Sequence, residues 1–148
     1  MKAKFFSLMV FAGLCIPGIV SNAQAQCSNA TLQGEYMFHT EGTVAPAGTP
    51  RVDLAVLTFD GNGNYTSRFI TNDNGVITRG TLLGLSYQVN ADCTGVTLDA
   101  QGVKTGVLIV VVEGGEFSFM GTNPSSLVIL GSGKRIRANN PFSESVIK

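Results

Sequence analysis

The chain has 148 residues, with 10 basic and 10 acidic side chains, one histidine, 14% charged residues and 44% hydrophobic ones. That length fits one domain, and so low a charge fraction argues against a disordered chain. A formal net charge of zero lacks the positive footprint of a nucleic-acid binder.

The first element in chain order is a leader. Lys2 and Lys4 precede an apolar run from Phe5 to Val20, and Ala23-Gln24-Ala25 supplies the small residues that a signal peptidase accepts. Residues 1–25 therefore read as a secretory signal peptide and 26–148 as a single exported domain, periplasmic or extracellular. Pro17 and Gly18 break the apolar run too early for a membrane anchor. Leu14 before Cys15 is too large for a lipidation site. Cleavage after Ala25 leaves 8 of the 10 basic side chains against 10 acidic ones, a mildly acidic chain that commits to no partner. No later segment reaches the ~18 unbroken apolar residues of a spanning helix.

Cys15 leaves with the leader. Cys27 and Cys93 remain, an even pair in an oxidising compartment. They are expected to join across a loop of about 67 residues, worth on the order of 4 kcal/mol in the chain-entropy model; the alternative is two buried thiols. Two cysteines and one distant histidine offer no zinc spacing. The reading calls for no metal and no cofactor.

After Cys27, Ser28 to Leu32 fits a single helical turn. The rest reads as about eight strands, near residues 34–41, 51–60, 64–71, 76–89, 95–101, 107–113, 116–122 and 127–137. Val, Ile, Thr, Phe and Tyr fill these runs, and Gly, Asn, Asp and Pro punctuate them. Asn62-Gly63, Asn74-Gly75 and Gly114-Gly115 are hairpin signals. Asn123-Pro124-Ser125-Ser126 is a looser loop, and Ala45 to Pro50 is the longest break. Short sequential hairpins favour an all-β, antiparallel up-and-down barrel over a β-sandwich, because closure removes exposed edges.

Two-residue turns at Asn62-Gly63 and Asn74-Gly75 would pair residues whose numbers sum to 125 and 149. One face then carries Leu57, Phe59, Arg68, Ile70 and Arg79; the other carries Leu54, Val56, Tyr65, Phe69 and Leu82. Neither is polar, whereas a sheet wet on one side alternates more cleanly. Both faces are expected to be covered, one by facing the core or lumen and the other by a second subunit or a terminal segment folded back, and a homo-oligomer is the expected assembly. An outer-membrane barrel also explains two apolar faces. Against it stand strands mostly shorter than the ~9–11 residues a crossing needs, and the absence of aromatic girdles.

The chemistry on offer is sparse. His39 is the only histidine. Glu35 shares its strand face but lies about 13 Å away, so no acid–base pair forms locally. No G-x-S-x-G surrounds a serine. Gly131-Ser132-Gly133-Lys134-Arg135 falls within a strand, where it cannot cradle phosphate at a helix start. Asp60, Asn62 and Asn64 mimic the opening of a calcium loop, but Tyr65 and Thr71 stand where that loop needs Gly and Glu. Arg68 and Arg79 fall on one face of adjacent strands. Facing a lumen they would bind a carboxylate or phosphate; facing outward they are merely solvated. Arg68, Arg79 and His39 are the weak ligand-binding candidates, and no residue is assigned a catalytic role.

Several stretches carry a resemblance: Cys27-Ser28-Asn29-Ala30-Thr31-Leu32-Gln33-Gly34-Glu35-Tyr36, Leu57-Thr58-Phe59-Asp60-Gly61-Asn62-Gly63-Asn64, and Tyr87-Gln88-Val89-Asn90-Ala91-Asp92-Cys93-Thr94-Gly95. With the glycine-rich ending from Gly131 to Arg135, they resemble a family of small secreted bacterial proteins of unassigned function. The barrel of that family is similar to the allene oxide cyclase-like barrel. The resemblance implies a barrel and a disulfide, and transfers no catalytic residue.

The expectation is a secreted, disulfide-bonded barrel that binds an apolar or weakly anionic small molecule, or a protein partner, without catalysis. A cofactor-free cyclase or isomerase using the same cavity is the runner-up, and rests on fold analogy. A structural envelope protein with a packed lumen is the third class. A lumen filled by Phe38, Phe59, Phe69 and Phe117 with no void would defeat both cavity readings.

Overall fold

The computed structural model describes residues 26–111, 113–122 and 127–136. The leader, the loop at Asn123 to Ser126, Arg137 and the tail after it lie outside the described residues. A single 3-10 turn (Asn29–Thr31) precedes eight strands. They are β1 (Gln33–Val44), β2 (Thr49–Asp60), β3 (Asn64–Asp73), β4 (Val76–Val89), β5 (Thr94–Leu98), β6 (Lys104–Val110), β7 (Glu116–Gly121) and β8 (Leu127–Arg135). Each pairs antiparallel with the next, and β8 returns to β1. The sheet closes into an up-and-down barrel and does not split into a sandwich.

Local chemistry explains where the strands stop. The break between β1 and β2 is only residues 45–48, because Val44 pairs with Thr49 and Thr43 with Pro50. Pro50 stands near the start of β2, before pairing with β3 begins at Arg51, where a missing N–H is tolerated. β5 is shorter than its apolar run, because the Asp99 carboxylate accepts the N–H groups of Gln101 at 2.9 Å and Val103 at 2.8 Å and pulls the chain into a turn. The calcium-loop mimic closes a hairpin: Asp60 accepts the N–H of Asn62 at 2.7 Å and of Asn64 at 2.9 Å.

The face assignment of β2 needs correction. Every β2–β3 pair sums to 124, from Arg51 with Asp73 to Phe59 with Tyr65, and not to 125. Three residues, 61–63, separate the strands, one more than a two-residue turn, and a one-residue slip exchanges the faces of a strand. Ala55, Leu57 and Phe59 therefore share the inner face with Tyr65 and Ser67, while Leu54 and Val56 turn outward with Arg68 and Ile70. The β3–β4 hairpin keeps the expected sum of 149 as far as Ser67 with Leu82; then Leu83 and Gly84 together oppose Thr66, and pairing resumes at Tyr65 with Leu85. This bulge switches which β4 residues face inward, so Leu85, Tyr87 and Val89 are buried.

The core is concentrated at one end of the barrel, called the base here. Cys27, Leu32, Tyr36, Phe59, Tyr87 and Phe117 are buried there together. Phe59 sits between Tyr36, Tyr87 and Phe117 with edge-on contacts at 5.3, 5.0 and 5.8 Å, a geometry that favours aromatic pairs beyond simple burial. Gly133 opposes Phe117 across β7 and β8; a Cβ at Gly133 would come within 2.2 Å of that ring. Among the described residues the outer face is uncovered: Ile109 and Val128 are each 65% exposed and Met37 60%.

Candidate functional site

The two ends of the barrel are built differently. At the base, the Cys27 and Cys93 sulfurs are 1.97 Å apart, a disulfide tying the N-terminal segment to the β4–β5 turn. The 3-10 turn then lies across the opening. Its Asn29 side-chain oxygen accepts the Val89 N–H at 2.7 Å, and the Tyr87 hydroxyl lies 2.9 Å from the carbonyl oxygens of both Asn29 and Leu32. On the other side, the buried Tyr36 hydroxyl donates to the Gly114 carbonyl oxygen and accepts from Arg135 Nη2 at 2.9 Å and Nε at 3.1 Å. Gly114 has φ 63°, and a Cβ there would come within 1.8 Å of the Thr31 carbonyl oxygen, so only glycine fits against the turn.

At the other end the wall is incomplete. β5 pairs with β4 only at Ser86 to Val89. Residues 76–85 of β4 thus carry β3 on one side and no described strand on the other, and all but Leu85 are exposed. The gap opens onto a lumenal cavity of about 470 Å³, within the usual range for small-molecule sites. Phe38, Leu57, Leu108, Phe117 and Phe119 form its apolar wall. Tyr65, Ser67, Thr97 and Thr105 supply hydroxyls on the β3, β5 and β6 side, and Leu82, Leu83, Asp99 and Gln101 lie at the gap. Phe59 and Phe117 pack in the lower lumen and also line the void above it, so the fully filled lumen that would defeat a cavity reading is not found.

One charged cluster lies on the inner face near the mouth. Asp53 receives the Thr40 hydroxyl at 2.9 Å, the Thr71 hydroxyl, and Arg51 through Nε at 3.2 Å and Nη2 at 3.1 Å. Arg51 Nη1 also lies 3.9 Å from Asp73. Burial by itself would raise the Asp53 pKa, but the hydrogen bonds from Arg51, Thr71 and Thr40 and the Arg51 charge outweigh it and hold the carboxyl below the ordinary value. Deeper in, Thr97 and Thr105 hydroxyl oxygens lie 2.8 Å apart, and Tyr65 lines the cavity with them. Burial pushes its phenol up to about 12.

The residues singled out from sequence lie elsewhere. Arg68 and Arg79 do share a face of adjacent strands, diagonally, since Ile70 opposes Arg79 and Arg68 opposes Thr81. That face is the outer one: both are exposed, and Arg68 lies 3.9 Å from Glu35. His39 is also on the outer surface, between Leu54 and Ser132 on the neighbouring strands. None of the three reaches the cavity. The lumenal arginine is Arg51, which sequence reasoning missed. A signal was present: Arg51-x-Asp53 puts opposite charges on one face of a strand. Lys134 pairs with Glu116 at 2.9 Å on the outside. Among the described residues no cluster of His, Cys, Asp and Glu could hold a metal ion, and no helix is long and apolar enough to cross a membrane.

Fold and site together define a closed, disulfide-tied eight-stranded barrel with one sealed end and one open lumenal cavity. Set against family models, curated proteins and solved structures, the chain finds no match in any of the three.

Proposed function

We propose that the chain is an exported binding protein that holds an apolar small molecule in the barrel lumen and performs no chemistry on it. The observation that carries this reading is the 470 Å³ cavity with an aromatic and aliphatic wall. Such a concave apolar site with a few convergent polar groups is the usual form of a small-molecule pocket. Among the described residues the lining brings no nucleophile and base together, and the Asp53 carboxylate near it is taken up by Arg51, Thr40 and Thr71. That favours binding over the cyclase or isomerase alternative, and the void disfavours a purely packed structural barrel. Export agrees with the leader and with the Cys27–Cys93 bond. The mid-strand, outward Arg68 and Arg79 weigh against a lipid-embedded barrel, where charges facing hydrocarbon are costly.

The test is titration of the purified chain with a neutral solvatochromic probe such as N-phenyl-1-naphthylamine. Saturable binding is expected, weakened about tenfold or more in Ser67→Phe, whose ring enters the void. Leu57→Phe provides a second occlusion. Unchanged binding in both folded variants would remove the lumenal reading. The exposed outer residues Met37, Leu54, Val128 and Leu130 supply an apolar surface for the proposed homo-oligomer, which sedimentation velocity tests directly.

A further inference from the structure

The charges around the lumen are spent on one another. Among the described residues Arg51 is the only cationic one lining the cavity; its Nε and Nη2 are hydrogen-bonded to Asp53 and its Nη1 lies 3.9 Å from Asp73. Arg51, its partners Asp53 and Asp73, and Asp99, which also lines the cavity, together carry one formal positive charge against three negative ones. An entering carboxylate or phosphate would meet that excess and find no free cation, and desolvating an ion without a partner is strongly unfavourable. Farther in, every polar group offered by Tyr65, Ser67, Thr97 and Thr105 is an uncharged hydroxyl. Hydroxyls both donate and accept, and match an alcohol or a carbonyl.

Resting on the lumenal reading above and narrowing it, we infer that the ligand is an uncharged, largely apolar molecule bearing one alcohol or carbonyl oxygen. That oxygen lies against the hydroxyls of Tyr65, Thr97 and Thr105, and the apolar body lies against Phe38, Phe117, Phe119 and Leu108. The paired hydroxyls, 2.8 Å apart for Thr97 and Thr105, form a polar strip on one side of an otherwise apolar lumen. Thr97 and Thr105 already bond one another, but each hydroxyl has one donor and two acceptor positions, so the strip keeps capacity that a ligand oxygen uses and an oxygen-free molecule does not. This departs from the weakly anionic ligand anticipated from Arg68 and Arg79, because those side chains lie outside the barrel.

Three competitors with one chain length and different heads decide the matter: 1-decanol, decanoate and decylammonium, each displacing N-phenyl-1-naphthylamine from the purified chain at neutral pH. Decanol is expected to bind at least about tenfold tighter than either ion. Tyr65→Phe and Thr97→Val, checked for folding by circular dichroism, should each weaken decanol by about five- to tenfold more than they weaken the probe. Decanoate or decylammonium binding as tightly as decanol would overturn the assignment of head-group charge. Full decanol affinity in both folded variants would overturn the assignment to the hydroxyl strip. If the probe itself fails to bind, the lumenal reading falls first and this inference with it, an outcome distinct from the other two.

Discussion

The base and the mouth of this barrel use the same strands for opposite ends. At the base, every inward position is taken. Tyr36, Phe59, Tyr87 and Phe117 interlock, the 3-10 turn covers them, and the disulfide and Arg135 pin the turn in place. At the mouth, β5 is too short to accompany β4, the inward layer is hydroxyls and one charged cluster, and space remains. Closed packing at one end provides stability; the unfilled end provides a site. Stability is not uniform through a fold, and binding regions are drawn from its weaker parts. Changes at the base should therefore lower stability and spare binding, and changes in the cavity should do the reverse.

The largest expected effect is at the base. Cys27→Ser frees the long loop between the two cysteines and should cost about 4 kcal/mol in the chain-entropy model, read as a lower urea midpoint. Probe affinity at low urea should be retained; a matching loss of affinity would show that the base and the cavity are one cooperative unit. Next comes Tyr36→Phe, which removes the donor to Gly114 and the acceptor of Arg135. It should cost about 1–3 kcal/mol and leave the cavity unaltered.

The smallest effect is at the mouth and depends on pH. The Asp53 carboxyl is held below its ordinary value of 3.8. Its contribution is fully present above that unfolded value and is lost as pH falls through the lower folded one. Asp60 and Asp92 are lowered too, by hydrogen bonds from Asn64 and Thr94 in their own turns. Urea midpoints should hold steady above about pH 5 and fall below pH 4, and Asp53→Asn should flatten part of that fall. An unchanged acid limb would mean that the Arg51–Asp53 cluster contributes nothing to folding.

Much of this layout was legible in the residues. Turn chemistry is local, so Asn74-Gly75 located its hairpin and β4 began and ended where its sequence predicted. The β2–β3 turn was recognised, but its length was not: two residues or three is decided by how Asp60 accepts the N–H groups of Asn62 and Asn64, and one residue exchanges the faces. Arg68 and Arg79 drew notice because adjacent strands aligned them, which was correct, but alignment does not say which side is inside. Arg51 was overlooked beside the Pro-rich break, although its spacing from Asp53 marked an ion pair on one strand face. Nothing in the local pattern foretold the bulge at Leu83 and Gly84; that β4 would outrun β5 was already implied by the expected spans 76–89 and 95–101.

By itself, then, the sequence determined the strands, the hairpins that join them in order, and the pair of cysteines free to bond, since each depends on residues near in the chain or on simple count. Only the tertiary structure decided which face turned inward, where aromatic packing ended and the cavity began, and that Arg51 would be neutralised while Arg68 and Arg79 stayed outside. Inside and outside are properties of closure, and closure is set by the registers of all eight strands together.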